Sequence, residues 1–441
     1  MRGAGKLRIS VGGLIVASLI AGIAGCSSSP GQPAFKRTGP VVTLRVGVYG
    51  SPGYQQSGLY AEYERLHPNI RIVQDDTAQQ ASYWPAVRAG LKSGRGIDDI
   101  QAVPIADIAA VTGPLSGDFV RLNTLGAISP GGGSFADGWL PWVARQAADR
   151  AGNTYALGSE IGPIAVCYRT DLLAEAGLPT SPAVLARDWS TWAGYLRLGR
   201  EFKAHIPVGP AFTDSVTSLY NAMASQATEQ YYGPSGELVV GDSPAIKAAW
   251  ATAVQAAQDG LSAKLVPQSA AWDKGVARSA FATVLCPAWM LRQISRLAGP
   301  AGSGHWNVTT APGGFGNSGG FYLAIPKASK HQQAAFRLAT FLTGEQAGVA
   351  LFRTQGDFPA NLAAVTALGG FTDRYFSGAR VGRIFGAAAD HTPAAITGPA
   401  SAAIGSDLDS DLSQVEIGHI APAVAWSAAL RQAKAAQSAS P

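Results

Sequence analysis

Acidic residues recur at the edges of apolar runs in this chain. Asp75-Asp76 follows the run 70–73, and Asp98-Asp99 precedes the apolar stretch that ends at Val103. An ionised carboxylate only accepts hydrogen bonds, and its two oxygens suit neighbouring hydroxyls or a protonated amine. Tyr49-Gly50-Ser51 ends the first apolar run and adds a phenol and a hydroxyl. Trp272, just before Asp273-Lys274, places a rigid aromatic face in a polar setting, and such a face costs little entropy when a ligand packs on it. Gly319-Gly320 would let backbone N–H groups approach a ligand closely. These groups suit a solute with a hydroxyl rim and an apolar CH face. Asp76 and Asp99 are the carboxylates expected to bind it, at strand ends where ligands sit in open α/β sheets. Each also has a plainer reading as a turn or helix-cap residue. Arg380 and Arg383 could meet an anionic group.

Paired carboxylates could equally perform acid–base chemistry on glycans, and an adhesin or a receptor for a protein is a further alternative. The chain has no Gly-x-Ser-x-Gly elbow and no phosphate-binding Walker loop, which are the signatures of common hydrolases and nucleotidases. Its six histidines fall at no metal-binding spacing. The expectation is therefore binding, not catalysis, with neither cofactor nor metal. The formal net charge is +5, but Arg2, Lys6 and Arg8 supply over half of that excess. No Lys/Arg cluster is interleaved with aromatics, which argues against a nucleic-acid partner.

Those three basic residues open a leader. An apolar run over 11–23 follows, too short for a comfortable membrane span, and ends in Ile23-Ala24-Gly25-Cys26. The arrangement resembles the lipobox of bacterial lipoproteins. It implies cleavage after residue 25, acylation of Cys26, and an extracytoplasmic protein anchored to the cell membrane. Residues 26–40, rich in Ser, Pro and Gly, read as a flexible tether. The two remaining cysteines, Cys167 and Cys286, sit in apolar, strand-like runs. An exported compartment permits a disulfide, but buried thiols are the expectation.

Beyond residue 40 the pattern is α/β. Residues 41–49 read as a buried strand. Leu59, Tyr60, Tyr63 and Leu66 recur at helical spacing up to His67-Pro68, and residues 70–73 read as a second strand. A strand–helix–strand order implies a parallel pair. Further strands are expected over 97–103, 161–168, 281–286 and 321–325, with helices over 171–176, 330–343 and 422–436. Residues 371–410, rich in Ala and Gly, give no clear pattern.

Four stretches in this order resemble family 1 of the bacterial extracellular solute-binding proteins, the carbohydrate-binding subunits of ABC importers. They are Tyr63-Glu-Arg-Leu-His-Pro-Asn-Ile-Arg-Ile-Val73; Gly96-Ile-Asp-Asp-Ile100; Tyr168-Arg-Thr-Asp-Leu-Leu-Ala-Glu-Ala-Gly-Leu178; and Trp306-Asn-Val-Thr-Thr-Ala-Pro312 with Gly319-Gly-Phe-Tyr-Leu-Ala-Ile325. Two departures stand out: Asp98 replaces the family's Pro, and Arg169 its Asn. The resemblance is nearest to actinobacterial lipoproteins of the amino-sugar-binding branch. It implies a periplasmic-binding-protein-like fold of two α/β lobes joined by hinge strands, with residues 41–157 plus 318–360 in one lobe and 158–317 plus 361–441 in the other. Crossings fall near Tyr155, Gly316 and Pro359. It implies permease subunits as partners and a sugar in the cleft, weakly an amino sugar, with a glycerophosphodiester as an alternative. It adds Glu160 after the hinge, Trp289 at a strand end, Phe321 beside the paired glycines and Asp357 near the third crossing to the expected site.

Overall fold

The computed structural model describes residues 39–50, 52–126 and 135–439. The leader, Cys26, most of the tether and Ser51 lie outside them. No helix among the described residues is long and apolar enough to cross a membrane.

The first strand, β1 (Val42–Tyr49), alternates in burial, with Leu44, Val46 and Val48 sealed from solvent. A helix, Leu59–Leu66, carries the chain to β2 (Ile70–Thr77), which pairs parallel with β1 from Val42↔Ile70 to Tyr49↔Thr77. The helix closes at His67, before Pro68, as the sequence predicts. β3 (Ile100–Pro104) is buried throughout and lies parallel to β1 on its other side. It starts three residues later than the sequence suggests, because Asp98 and Asp99 are engaged by Arg45 before the strand begins.

β4 (Ala156–Arg169) joins the two halves of the molecule. Its first part pairs antiparallel with β8 (Asn317–Ala324), from Ala156↔Ala324 to Pro163↔Asn317. Its second part pairs with β6 (Phe281–Pro287) and β7 (Trp306–Thr310), and the short β5 (Ala211–Thr213) lies parallel to β6. The sheet order is β2-β1-β3-β8-β4-β6-β5, and β9 (Phe358–Pro359) adds to β4 at Glu160 and Ile161. The ladder between β4 and β8 shifts register twice, between Gly158 and Glu160 and between Ile161 and Pro163. Such bulges bend a strand, and Pro163, which has no N–H to donate, sits where β4 changes partners.

Helices cover both sides of β4. Ile164, Val166 and Tyr168 join one apolar cluster with the helices Trp192–His205, Val216–Ser225, Pro244–Gln258, Ser401–Glu416 and Pro422–Ala439. Ala165 and Cys167, one residue out of phase, join the other cluster, which is continuous with the core around β1 and β3. This two-residue alternation is the pleat of a strand buried on both faces. The result is two α/β lobes joined by β4 and β8. Cys167 and Cys286 form a disulfide between β4 and β6, contrary to the buried thiols expected. Their Cα atoms are 5.7 Å apart on one face of the sheet, within disulfide reach. The stretch without a clear pattern contains the helix Val381–His391 and the beginning of Ser401–Glu416.

Candidate functional site

A cleft of about 490 Å³ opens between the lobes. Gln80, which starts the helix Gln80–Ser93, lines it with Trp142 and Gln146 of the helix Pro141–Gln146. Asn221, Tyr231, the stretch around Thr392–Thr397 and Asp409 line the opposite wall, and Asn317–Gly320 of β8 form the floor. A second chamber of about 230 Å³ adjoins it, and the two share only Asn221, Ser318 and Asp409. Trp289, Met290 and Leu285 give this chamber an apolar wall, and Thr217, Ser218 and Gln268 add polar groups.

Two helices bring Asn221 and Asp409 together. Ile404, Leu408, Leu412 and Val415 bury one side of Ser401–Glu416, so Ser401, Gly405 and Asp409, four residues apart, share a different side that lines the cleft. Glu416 at the end of this helix clamps the start of Val216–Ser225. Its Oε1 accepts from the Val216 N–H at 2.8 Å and its Oε2 from the Ser215 hydroxyl at 3.2 Å. A carboxylate there satisfies an open helix N–H and opposes the helix dipole. The Asn221 amide then donates to both Asp409 oxygens at 2.9 Å. Burial pushes the Asp409 carboxyl up to about 7, and the Asn221 bond works against that rise. No Lys, Arg or His is among the described residues lining either chamber.

Gly319 and Gly320 lie on the cleft floor with φ of 81° and 106°, where L side chains are strained. A Cβ on Gly320 would meet the Glu160 carbonyl oxygen at 2.4 Å, so glycine is needed for strand packing as well as access. Trp289 is half-buried against the smaller chamber, and its indole N–H donates to the Ser318 carbonyl at 3.0 Å.

Glu160, Asp357 and Tyr49 form a separate group beside the hinge. Burial raises both carboxyls, Glu160 well above its ordinary value, and the Asp357 charge raises Glu160 further; the Gly53 N–H and Arg292 pull Asp357 back down. Burial and then Glu160 push the Tyr49 phenol up, and its hydroxyl reaches the Gly320 carbonyl at 3.4 Å. None of the three lines either chamber.

Six candidate residues fall elsewhere. Trp272 is completely buried, and its indole N–H donates to Asp214 at 2.9 Å. Its polar sequence neighbours face out while the ring faces the core, so it offers no platform. Phe321 is buried edge-on to Tyr49 and Tyr54. Asp99 sits at the start of β3, the end away from the cleft, and accepts from the Arg45 N–H at 3.0 Å and the Ser329 hydroxyl at 2.6 Å. Asp76 is exposed on β2 near the Tyr60 phenol and outside both chambers. Arg380 and Arg383 are exposed near the start of Val381–His391, and it is Thr392, beyond the other end of that helix, that lines the cleft.

Sequence reasoning missed Asn221, Asp409, Trp142 and Tyr231. Asp107 follows the cleft-lining Ile105 and Ala106, and burial raises its carboxyl to about 6. The apolar spacing Ile404, Leu408, Leu412, Val415 marks the helix that carries Asp409 but does not say which of its acids meets the cleft, since Asp411 on the same helix is buried.

With this geometry established, comparison with known proteins places the chain. A family model described as bacterial extracellular solute-binding protein matches residues 58–373. A crystal structure of an extracellular solute-binding protein of family 1 is 35% identical, with a TM-score of 0.81 over 90% of this chain and 100% of that one. The chain belongs to the bacterial extracellular solute-binding protein family. More distant structures share the fold. The galacto-N-biose-/lacto-N-biose I-binding protein of an ABC transporter from Bifidobacterium longum, solved with lacto-N-biose, is 17% identical with a TM-score of 0.74 over 91% of this chain and 98% of that one. The sugar-binding protein MalE from Xanthomonas citri is 18% identical with a TM-score of 0.73 over 90% and 98% of the two chains. No curated protein matches by sequence.

Proposed function

We propose that this chain is the substrate-binding protein of an ABC importer, capturing a sugar between its lobes and delivering it to membrane permease subunits. The observation that carries the reading is the cleft itself: lined from both lobes, rich in amide and hydroxyl groups, with Asp409 as the single acidic or basic side chain among the described residues that line it. A lone carboxylate without a facing cation favours a neutral polyol or one bearing a protonated amine, and disfavours an anion. An amino sugar is therefore the finer reading, and a glycerophosphodiester fits less well. The distant relatives crystallised with β-1,6-galactobiose and lacto-N-biose support a carbohydrate.

In this reading residues 41–157 plus 318–360 move as one lobe against 158–317 plus 361–441, and closure completes the site. Of the expected site residues, Trp289, Gly319 and Gly320 line the cleft, with Tyr49, Glu160 and Asp357 beside the hinge. A leader of residues 1–25, acylated Cys26 and a tether to residue 40 would hold the protein at the outer face of the cell membrane. Ligand-induced thermal stabilisation over a panel of neutral and amino sugars tests the reading, since a solute that binds only the folded chain raises its melting temperature. The expected result is a rise with at least one sugar and no product after incubation. Turnover of an oligosaccharide would instead establish an enzyme.

A further inference from the structure

We infer that Asp214 is a positioning residue for the smaller chamber: it takes the Ser218 hydroxyl hydrogen, so that Ser218 meets the solute as a hydrogen-bond acceptor. This rests on the sugar reading above and names which groups of the sugar that wall can take. Asp214 follows β5 and precedes the helix Val216–Ser225, is completely buried and lines neither chamber. Its Oδ1 accepts from the Ser215 N–H at 2.7 Å. Its Oδ2 accepts from the Trp272 indole N–H at 2.9 Å and from the Ser218 hydroxyl at 3.2 Å. All three donors are neutral. A buried carboxyl is costly even when bonded in this way, so its place behind the chamber wall calls for a use.

Ser218 lines the chamber from the first turn of its helix. A serine further along a helix can give its hydrogen to the carbonyl four residues earlier, but no helical carbonyl precedes Ser218 by that distance. The hydrogen goes to the Asp214 side chain instead. A serine has only one hydrogen to donate, and once it is committed the oxygen can only accept. A sugar hydroxyl or an ammonium hydrogen fits opposite such an oxygen, and an ether or carbonyl oxygen does not. The main chain of Asp214 serves the same chamber. Its carbonyl accepts from the Leu265 N–H at 2.9 Å and from the Ser262 hydroxyl at 3.1 Å, and the loop continues into Val266, Pro267 and Gln268, which also line the chamber. Asp214 thus ties together two of the segments that enclose this space.

Titration calorimetry on the purified chain tests this with glucose, maltose, glucosamine and its disaccharide, at pH 8, above the value of about 7 to which burial raises the Asp214 carboxyl. For the tightest binder, Ser218→Ala is expected to weaken affinity about fivefold. Asp214→Asn should weaken it at least as much in the unaltered background, and by less than about twofold once Ser218 is replaced by alanine, because the two act as one unit. Trp272→Phe strips the other donor from the same oxygen, and should lower the melting temperature while leaving affinity within about twofold. If Asp214→Asn does not fold, deoxyfluoro analogues of the binding sugar carry the test, since fluorine in place of a hydroxyl removes the donated hydrogen. At least one analogue should then bind the unaltered chain about fivefold more weakly than the sugar itself, and that loss should disappear in Ser218→Ala. An Asp214→Asn loss undiminished in the Ser218→Ala background, a Trp272→Phe loss of affinity as large as that of Asp214→Asn, or no deoxyfluoro loss that depends on Ser218, overturns the positioning role and leaves sugar binding standing. No binding by any of the four sugars overturns the sugar reading and this inference together.

Discussion

Asp409 concentrates the electrostatics of the cleft in one side chain. Its bond to Asn221 is to a neutral donor, so the carboxylate has no countercharge among the lining residues. A ligand amine would supply one, and a hydrogen bond to a charged partner contributes about 1.5–3 kcal/mol. Asp409→Asn should therefore weaken an amine-bearing sugar about tenfold or more in calorimetry, with a smaller loss for its neutral counterpart. Equal losses would remove the case for an amine. Trp272 and Trp289 make the opposite comparison. Both were expected as aromatic platforms, Trp272 for its polar setting and Trp289 for its place at a strand end, yet one is core and one is half-open. Trp272→Ala should cost about 3–5 kcal/mol of stability in denaturant titration, because it leaves a cavity and strips a donor from buried Asp214. A loss below about 1 kcal/mol would contradict the buried assignment. Sequence alone could not separate the two, because periodicity over a short helix does not say which turn faces the core.

The elements were unevenly legible. β1, β2 and the helix between them follow from Val-rich runs and the His67-Pro68 stop. The strand around Ile161–Tyr168 was visible, but its length and its change of partners were not, since register shifts leave no local mark in composition. Residues 371–410 stayed opaque because Ala and Gly give little apolar contrast, although they supply the Thr392–Thr397 wall and Asp409. The close contact of β4 and β8 depends on a missing side chain. Gly320→Ala combines a left-handed backbone with a clash against the Glu160 carbonyl, and should destabilise the fold by about 1–3 kcal/mol or more. Chemical denaturation that finds no change would mean that the two strands do not meet as described.

For the molecule as a whole, buried acids set the response to pH. Burial raises Asp98 and Asp107 to about 6 and Asp214 and Asp409 to about 7, well above unfolded carboxyls. Between about pH 4 and 7 the folded chain therefore binds more protons than the unfolded one, and stability falls as pH rises through that window. The lowered acids, Asp149 and Asp171, act in the opposite sense and only toward stronger acid. The melting temperature should be higher at pH 5 than at pH 8, and a flat or rising profile in calorimetric scans would show that these acids are not buried as described. Affinity for an amine should run the other way, strengthening as Asp409 ionises.

The bond between Cys167 and Cys286 falls wholly on one side of the hinge, closing a span of 119 residues. A cross-link over so long a span takes away much of the disorder that its half could gain by melting, whereas β1, β2 and β3 have no such restraint. The molecule is thus built to fail unevenly. Under gentle warming a protease would nick the N-terminal strands first, and adding a reductant would erase that order of cutting.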